Sequence, residues 1–593
     1  MTGPLFLDIE TNGLLPELDR IHCIALKELN TGEAWSYGPD KIKEGLKIAA
    51  EAPELIAHNG LTFDIPAIQK VYPNWKPKGK ITDTLVLSRM IRPDLKRQDW
   101  DHDWKAEVLP KKLFGSHSLK AWGLRLSHRF DDDRMLKTDY DGGWEQWSEE
   151  MEAYCRQDVV VCEALYNFLK PHEWPERAIE LEHKMAVIAE EIGNNGWTFD
   201  ERAAASLYGK LSRRRAELDD ELQNLFEPWE IKEIIIPKVN NSKLGYQKGV
   251  PFEKVKVVEF NHQSRRHIEF CLTRKYGWKP EKKTNDGHAV IDDVVLGSLD
   301  YPEAKKLAEL FLINKRLGQL AEGGQAWLKR VDADGKLRHR IIPIGCVTSR
   351  ASHSGPNLGQ VPAVRLEYGK ECRDLFTVPN GYSLVGSDLS GLEIRAFAHF
   401  LNDGGEYAKV ILESDIHEYN REKTGLATRD QAKTWLYATL YGASDSKIGK
   451  MVGKGSQAGK QLKENFINAV PAYGRLKTAV ETAASRGSVK TLDGRRVPVR
   501  SPHAALNTLL QSAGSIISKQ WVIFIDEAIK EQGLDAYIMA WVHDEVQIAV
   551  RKGLEEHVGN IARRSAEKAG EEFNFRIPIG AEYAIGRTWA DTH

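Results

Sequence analysis

An apolar run at residues 538–550 carries two adjacent acids, Asp544 and Glu545, at its centre. β-Branched and aromatic residues on both sides predict two strands, so the acids should lie at the turn of a hairpin. Because side chains alternate along a strand, the acids should point to opposite faces, which leaves one of them to line a site. An ordinary hairpin with a pair of acids at its tip fits the run equally well. A buried carboxylate needs a cation or hydrogen-bond donors, and a metal at Asp544 would need a second acid nearby.

Residues 382–395 supply such an acid. An apolar strand is predicted to end at Asp388, and a helix carrying Glu393 is predicted to follow it. If this strand end meets the hairpin, Asp388 and Asp544 form the pair of aspartates that two-metal nucleotidyl transfer requires. A strand-end aspartate that caps the next helix is the alternative for this stretch taken alone.

Residues 429–442 predict a helix with cations and aromatic rings on one face. Arg429, Lys433 and Tyr437 recur at helical spacing, and Tyr441 follows less closely. Such a face suits a triphosphate at one end and a base and sugar at the other. A basic surface turn followed by core tyrosines is the competing interpretation for any one pair.

The first 175 residues contain a second group of acids, with a tyrosine, that could form a metal site. Asp8 and Glu10 share one face of a predicted strand, and a predicted helix places Tyr154 and Asp158 four residues apart on one face. Oxygen ligands suit Mg²⁺ or Mn²⁺. A pair of such ions stabilises the attacking and the leaving oxygen when a phosphodiester is cleaved, so we predict a two-metal site. Any one of these acids alone is typical of a helix cap or a solvated face. The predicted members are Asp8, Glu10, Asp64 and Asp158, with Asn59 in the same loop as Asp64 and with Tyr154 orienting the attacking water.

Length and composition bound these predictions. The chain has 593 residues, too many for one core, and two to four domains are expected. The net charge of −2 gives no overall basic excess, so any nucleic acid would bind along a locally basic channel. Six cysteines without paired metal spacing indicate a reduced protein. The sequence has no signal peptide and no apolar run of membrane-spanning length, so neither secretion nor membrane insertion is expected.

Residues 175–330 predict a helical scaffold, because apolar and charged positions alternate at helical spacing. Prolines, glycines and asparagines interrupt this pattern at 227–261, which predicts an inserted loop or a small hairpin. Segments of this length are typically functional or disordered.

The acidic motifs around Asp388 and Asp544 and the basic motif around Arg429 resemble, in chain order, motifs A, B and C of family A DNA polymerases. Residues 83–89, 501–514 and 540–545 look more specifically like the replicative polymerases of T-seven-like podoviruses. At the amino-terminal end, Asp-x-Glu, Asn-x₄-Asp and Tyr-x₃-Asp resemble DnaQ-like 3′→5′ exonucleases. Together these resemblances cover essentially the whole chain.

The resemblance implies a multidomain fold, α/β plus α+β, with a DnaQ-like (RNase H-like) exonuclease domain followed by a right-hand polymerase. Because the match starts almost at the first residue, we expect no 5′-nuclease domain ahead of it. The implied domains are an exonuclease at 1–175, a thumb at 176–340 with the insertion at 227–261, a palm at 341–410 and 490–593, and fingers at 411–489.

The resemblance also implies roles in synthesis. Asp388 and Asp544 would be the metal ligands, with Glu545 nearby at the primer end, and Lys433 would protonate the leaving pyrophosphate. For the incoming nucleotide, the resemblance implies that Arg429, Lys433 and His417 bind the triphosphate and that Glu393 excludes a ribose 2′-hydroxyl. Tyr437 would allow dideoxynucleotides to be accepted, and Tyr441 would stack near the templating base. The implied DNA contacts are Arg350, Asn357, Gln511 and His543.

In the exonuclease domain the resemblance makes Asp8, Glu10 and Asp158 metal ligands, with Asp64 and Tyr154 also catalytic. Asp83 is either a further polar residue of this site or a helix cap, and the cap is the interpretation we adopt.

The implied cofactors are two Mg²⁺ ions in each site, with Mn²⁺ as a substitute. The implied partners are primer–template DNA, deoxynucleoside triphosphates, a helicase-primase and a single-strand binding protein, in the cytoplasm of a bacterial host. Some members of this family capture thioredoxin through a thumb insertion, but the insertion at 227–261 looks too short, so we do not predict thioredoxin binding. A single-subunit RNA polymerase and a non-catalytic DNA-binding relative are the rival hypotheses; Glu393 argues against the first, and the complete set of acids argues against the second.

Overall fold

A computed structural model describes residues 3–102, 104–137, 139–223, 225–240, 243, 245–284 and 286–593. The chain forms two compact units. The first contains Met1–Thr198, Arg338–Val361 and Thr377–His593, and the second contains Phe199–Leu337 and Pro362–Phe376. In the described part of the chain, no helix is both long enough and apolar enough to cross a bilayer.

The amino-terminal part of the first unit is a mixed five-stranded sheet with helices on both faces. Its elements are β1 (Leu5–Thr11), β2 (Ile21–Glu28), β3 (Ala34–Tyr37), α1 (Ile42–Glu51), β4 (Glu54–Ala57), α2 (Asp64–Val71), β5 (Lys80–Asp83), α3 (Thr84–Ile91), α4 (Leu95–Asp101), α5 (Leu119–Phe130) and α6 (Glu149–Leu169). The strand order is β3-β2-β1-β4-β5, with β1 antiparallel to β2 and parallel to β4. Along β1, Phe6 packs with Trp122 on one face, and Leu7 packs with Leu46 on the other. Asp8 shares the face of Phe6, so it points toward the layer that contains α6.

Helix α7 (Glu176–Asn195) and strand β6 (Trp197–Phe199) follow. The buried face of α7, with Leu181 and Met185, packs in one core with Trp521 and Ile548. Residues 176–195 therefore fold with the first unit.

The second unit is mostly helical. Its elements include α8 (Glu201–Gln223), β7 (Trp229–Ile235), β8 (Phe252–Val258), α9 (Arg265–Tyr276), α10 (Asp293–Gly297), α11 (Pro302–Leu317), β9 (Lys336–Leu337) and, after a return to the first unit through β10 (Arg340–Ile342) and β11 (Ser352–Ser354), α12 (Gly369–Arg373). Within the insertion predicted at 227–261, β7 and β8 pair as an antiparallel hairpin, with Trp229 opposite Val258. Residues 241, 242 and 244 of that insertion lie outside the described residues.

A helical layer follows the next long strand of the first unit. The elements are β12 (Phe376–Thr377), β13 (Tyr382–Leu389), α13 (Leu392–Leu401), α14 (Glu406–Glu413), α15 (Ile416–Thr424), α16 (Arg429–Leu440), α17 (Asp445–Met451), α18 (Ser456–Ala469) and α19 (Pro471–Ala484). The apolar faces of these helices share one core, in which the rings of Trp435 and Phe466 meet edge to face at 5.0 Å. This packing fixes α16 so that its opposite face is free to carry the predicted cations.

An antiparallel sheet completes the first unit. The last elements are β14 (Ser488–Lys490), β15 (Arg496–Pro498), α20 (Ala505–Glu531), β16 (Ala536–Val542), β17 (Glu545–Arg551), α21 (Glu555–Glu572) and β18 (Ala581–Gly586). The order is β16-β17-β13-β18, so β13 lies between the hairpin of β16 and β17 and the last strand. Helices α20 and α21 pack in the same core, where Trp521 Nε1 donates to the Ala562 carbonyl at 2.7 Å.

Candidate active sites

Three acids meet where β13 ends. Asp388 lies opposite Glu545 in the antiparallel pairing of β13 with β17, so their side chains share a face. The Leu389 amide donates to the Asp544 carbonyl oxygen at 2.9 Å, which joins the hairpin turn to the end of β13. The structure thus brings the predicted aspartates, Asp388 and Asp544, to one place.

Both acids of the hairpin act on Asp388. Asp544 lies in the turn beside His543, whose φ of +61° is left-handed, and the alternation of a strand does not apply there. Loss of hydration, then the charges of Asp544 and Glu545, raise the pKa of Asp388 to about 7. Both acids of the hairpin therefore act electrostatically on Asp388. Burial also raises the pKa of Asp544.

Glu545 is held by three side chains that sequence reasoning missed. Trp589 Nε1 donates to its Oε1 at 2.5 Å, Gln547 Nε2 donates to the same oxygen at 2.7 Å, and His593 Nε2 lies 2.6 Å from its Oε2. Gln547 was foreseeable as the next residue on the same face of β17, whereas nothing in the sequence links Trp589 or His593 to Glu545. The three contacts fix this carboxylate beside Asp388.

Glu393, in the first turn of α13, is bound through both carboxylate oxygens. Arg350 Nη2 donates to Oε1 at 2.6 Å, and the Tyr441 hydroxyl donates to Oε2. Burial and the bond to Glu393 raise the pKa of the Tyr441 phenol. Three predicted site residues from three separate segments are therefore in direct contact.

Helix α16 carries the predicted cationic face. Thr428 caps its first turn by accepting from the Gln431 amide at 3.2 Å. Arg429 and Lys433 are exposed and Tyr437 is half-buried on one face. Trp435 and Leu440 are buried in the core on the other side of the helix. The arrangement matches the periodicity of residues 429–442.

A short helix adds a third group to this face. Asp415 caps α15 by accepting from the His417 amide at 2.8 Å, and its other oxygen lies 2.6 Å from Arg429 Nε. Burial, then the charge of Arg429, lowers the pKa of His417. The ring of His417 lies 6.5 Å from that of Tyr437. Exposed ion pairs such as Arg429–Asp415 contribute little free energy, so an anionic ligand can replace Asp415 at low cost.

Of the predicted DNA contacts, Arg350 and His543 act electrostatically on Asp544, whereas Gln511 and Asn357 come from other elements. His543 lies in the hairpin turn, where loss of hydration and then the positive charge of Arg350 lower the pKa of its imidazole. Gln511 is half-buried on α20, and Asn357 is exposed at the start of a short helical turn.

A second acidic site lies on the amino-terminal sheet. Carboxylate oxygens of Asp8 and Glu10 lie within 4.8 Å of each other and of Cys155 Sγ on α6. Asp158 comes from the same helix, and Asp64 begins α2 after the loop that follows β4. All four predicted acids influence one another electrostatically.

An excess of buried negative charge marks this second site. Burial, then repulsion by Asp158, raises the pKa of Glu10 to about 8 and also raises the pKa of Asp8. Burial and then Asp83 raise the pKa of Asp64 to about 7. Oδ2 of Asp8 and Oδ1 of Asp158 are buried and accept no hydrogen bond from the described residues. Oxygen atoms with these properties fit a divalent cation such as Mg²⁺ or Mn²⁺.

Asp83 is a helix cap, as we expected. Its carboxylate accepts from the Leu85 amide at 2.8 Å in the first turn of α3 and from the Asn59 amide at 3.0 Å. Asn59 has a left-handed φ of +71°, and its side-chain oxygen accepts from the Thr62 hydroxyl at 2.9 Å. Asp83 therefore orders the loop that delivers Asp64.

Lys137 joins the second site although sequence reasoning missed it. Its ammonium contacts Asp158 Oδ2 and lies 4.3 Å from the centre of the Tyr154 ring. Burial alone would lower the pKa of Lys137, but attraction to Asp158 and Asp8 outweighs burial and raises it. No pattern marks this lysine, because it lies in a polar segment between α5 and α6.

Comparisons with known proteins match each of the two regions that carry these sites to a known family. A family model described as DNA polymerase family A matches residues 247–591, and one for the RNase_H superfamily matches residues 5–170. The chain is 37% identical to the DNA-directed DNA polymerase of Enterobacteria phage T3 over 99% of this chain and 100% of the relative. It is also 37% identical to the DNA-directed DNA polymerase of Escherichia phage T7, over 99% of each. Both alignments extend over 705 positions, so these relatives contain segments that the 593-residue chain lacks.

A solved structure shows the same fold at lower identity. It is the POL domain of Pol1 from M. smegmatis in complex with DNA primer-template and dNTP, with a TM-score of 0.74 at 19% identity over 99% of this chain and 96% of that one. Members of both matched families generally depend on divalent metals, and a DNA polymerase implies primer–template DNA and deoxynucleoside triphosphates as substrates. From the family model and the full-length phage relatives, the chain belongs to DNA polymerase family A, with an RNase H-like domain of the exonuclease type ahead of the polymerase domain.

Proposed function

We propose that this chain copies a DNA template from a primer and removes mismatched primer ends by 3′→5′ hydrolysis, as the replicative polymerase of a phage genome in a bacterial host. The observation that carries the proposal is the presence of two separate acidic sites in one chain, at Asp388 and at Asp8. Each has carboxyl groups whose pKa values are raised by burial and by neighbouring acids. Such sites suit divalent cations and phosphodiester chemistry.

In synthesis, Asp388 and Asp544 would hold two Mg²⁺ ions, which would supply the positive charge that stabilises the attacking and leaving oxygens. Glu545 lies at the primer end, where Trp589 and Gln547 fix its orientation. Fixed carboxylates spare the protein from reorganising when the substrate binds.

The face of α16 binds the incoming nucleotide. Arg429, Lys433 and His417 bind the triphosphate, and Lys433 gives a proton to the leaving pyrophosphate. Tyr437 lies at the sugar, Tyr441 near the templating base, and movement of α16 gates the step.

Selection of the sugar and of the primer depends on contacts around Glu393. Its carboxylate, fixed by Arg350 and Tyr441, excludes a ribose 2′-hydroxyl. Arg350 and His543 contact the duplex in the minor groove, together with Asn357 and Gln511.

In proofreading, Asp8, Glu10 and Asp158 would hold two further Mg²⁺ ions, with Asp64 in the same site. Tyr154 orients the attacking water, and the cation of Lys137 beside its ring holds the ring in place. Mn²⁺ substitutes for Mg²⁺ in both sites, since both ions prefer oxygen ligands.

The proposed domains follow from these assignments. Residues 1–175 form the exonuclease, 176–340 the thumb, 341–410 and 490–593 the palm, and 411–489 the fingers. A helicase-primase and a single-strand binding protein are the proposed replication partners. Thioredoxin is not among them, because the hairpin of β7 and β8 has only seven residues in each strand.

Primer extension on matched and mismatched primers tests the proposal, with Mg²⁺, all four deoxynucleotides and separate reactions with and without thioredoxin. We expect extension of both primers, with the mismatched nucleotide removed first and no lengthening by thioredoxin. Extension with ribonucleotides at the same efficiency would favour the RNA polymerase alternative. Failure to extend either primer would refute synthesis, and direct extension of the mismatch would refute proofreading.

A further inference from the structure

The acids of the exonuclease domain open into a groove of about 770 Å³. Two carboxylates line it, Asp8 and Asp158, whereas the cationic side chains that line it are Arg89, Lys96, Lys120, Lys137 and Arg340. Lys137 contacts Asp158, and Lys120 pairs with Asp139 outside the groove. The remaining excess of positive charge suits an anionic polymer.

Three of these cations, Arg89, Lys96 and Arg340, have no partner among the described residues, and two of the three carry guanidinium groups. Arg89 is half-buried near the end of α3, and Arg340 is exposed at the start of β10. Throughout the described part of the chain, no side chain or carbonyl forms a hydrogen bond or ion pair with either guanidinium. Arg89 and Arg340 line the same groove. Burial and then repulsion by Arg340 lower the pKa of Arg89 to about 10.

The acid whose charge acts on Arg89 is already satisfied. Asp83 attracts Arg89, but its carboxylate accepts from the amides of Asn59, Leu61 and Leu85. Two guanidinium groups without a carboxylate present a set of donors that matches phosphate oxygens. A phosphate between them would remove their mutual repulsion.

We propose that Arg89 and Arg340 together bind a backbone phosphate of single-stranded DNA whose 3′ end lies at Asp8 and Asp158. This inference rests on the proposed exonuclease function and names the residues that hold its substrate upstream of the cleaved bond. Arg89 belongs to the exonuclease domain, and Arg340 comes from the segment between the two major sites.

The position of Arg340 gives the groove a link to the polymerase site. Strand β10 pairs with β11, with Ile341 opposite His353, and the loop between them carries Arg350. Arg350 binds Glu393, whereas Ile342 and Ser352 of the two strands line the groove. One hairpin therefore contacts the strand to be degraded and supports the residue that selects the sugar.

Binding of a fluorescent ten-nucleotide oligo(dT) in EDTA, with excess unlabelled matched primer–template to fill the polymerase site, tests the pair. We expect Arg89→Gln and Arg340→Gln each to raise the Kd about tenfold, since one charge-assisted hydrogen bond contributes about 1.5 kcal/mol. In the double variant, the slope of log Kd against log salt concentration should fall by about 0.7, as for one lost phosphate contact. Arg340→Lys should recover part of the affinity.

Arg92→Gln is the matched control, because Arg92 follows α3 but does not line the groove. With Mg²⁺, the substituted pair should raise the KM for single-stranded DNA and leave kcat within about twofold. A double variant with the wild-type Tm, Kd and KM would overturn the proposal that Arg89 and Arg340 bind a phosphate. The exonuclease proposal would remain intact. A wild-type chain that binds the oligonucleotide but never shortens it in Mg²⁺ would instead refute the exonuclease proposal.

Discussion

Arg350 Nη2 lies 2.6 Å from Glu393 Oε1, and the Tyr441 hydroxyl donates to the other oxygen of the same carboxylate. The two donors come from the loop before β11 and from the end of α16, so the carboxylate is fixed from two sides. A carboxylate held in this way cannot rotate to make room for an additional hydroxyl on the sugar. Its rigidity depends on both donors.

Glu393→Ala should therefore relax the choice of sugar. We expect the ratio of ribonucleotide to deoxynucleotide incorporation, measured as kcat/KM, to rise about 10- to 100-fold. Tyr441→Phe removes one of the two donors and should raise the ratio less. Tyr473→Phe is the control, because this buried tyrosine packs against Phe466 in the core. An unchanged ratio in Glu393→Ala would exclude the sugar-selection role.

Tyr437→Phe tests the face of α16. Tyr437 is half-buried, four residues after Lys433 and close to the His417 ring. Loss of its hydroxyl should lower dideoxynucleotide incorporation about tenfold or more, a cost typical of one lost hydrogen bond, with deoxynucleotides little affected. Single-nucleotide kinetics with both substrates give the ratio. Equal losses for both substrates would indicate a general defect in nucleotide binding.

The local elements that carry the sites were predictable from the sequence. Apolar runs ending in acids gave β13 and the hairpin at Asp544, and helical spacing gave the face of α16. Periodicity of this kind reports burial within a few residues of the chain.

The long-range contacts at these sites were not predictable. Trp589 and His593 reach Glu545 from the last segment, and Lys137 reaches Asp158 from a polar loop. Such contacts depend on how separate elements pack, which no local pattern records. The alternation rule also failed at Asp544, because it assumes a strand where the chain forms a turn.

A buried group of charges gives a stability prediction. Glu182 on α7 lies 2.5 Å from Arg495 Nη1 and 2.7 Å from Lys519 Nζ, and all three side chains are at most 1% exposed. Lys519→Met leaves Arg495 as the one cation paired with both Glu182 and Asp493 in this group, so one buried negative charge is uncompensated. The free energy of unfolding should fall by about 3–5 kcal/mol. Urea denaturation measures the loss.

The control for that experiment is Lys530→Met. Lys530 pairs with Glu191 at the surface, where both side chains are about half exposed. An exposed pair contributes about 1 kcal/mol or less. An equal fall in the free energy of unfolding for both variants would contradict the claim that the buried ion pair is more important for stability than the exposed one.

Raised carboxyl pKa values at the exonuclease site predict a pH effect on the metal-free protein. Glu10 and Asp64 hold their protons up to a pH of about 8 and about 7 in the folded state, but release them near about 4 when unfolded. The folded state therefore binds more protons between those values, and stability falls as the pH rises from about 4 to about 8.

The Tm in EDTA at pH 6 and pH 8.5 measures this effect. Wild type should lose more stability over that range than an Asp8→Asn, Glu10→Gln double variant, in which the repulsion is reduced. Added Mg²⁺ should restore wild type more than the variant at pH 8.5. An equal fall in Tm for both proteins would show that these acids do not cause the loss of stability at high pH.

The most direct measurement compares the two activities in variants of each acidic site. Asp388→Asn and Asp544→Asn should each abolish primer extension while degradation of single-stranded DNA stays within about twofold of wild type. The Asp8→Asn, Glu10→Gln variant should lose degradation and keep extension. Extension retained in both Asp388→Asn and Asp544→Asn, or loss of both activities in every variant, would contradict two independent sites in one chain.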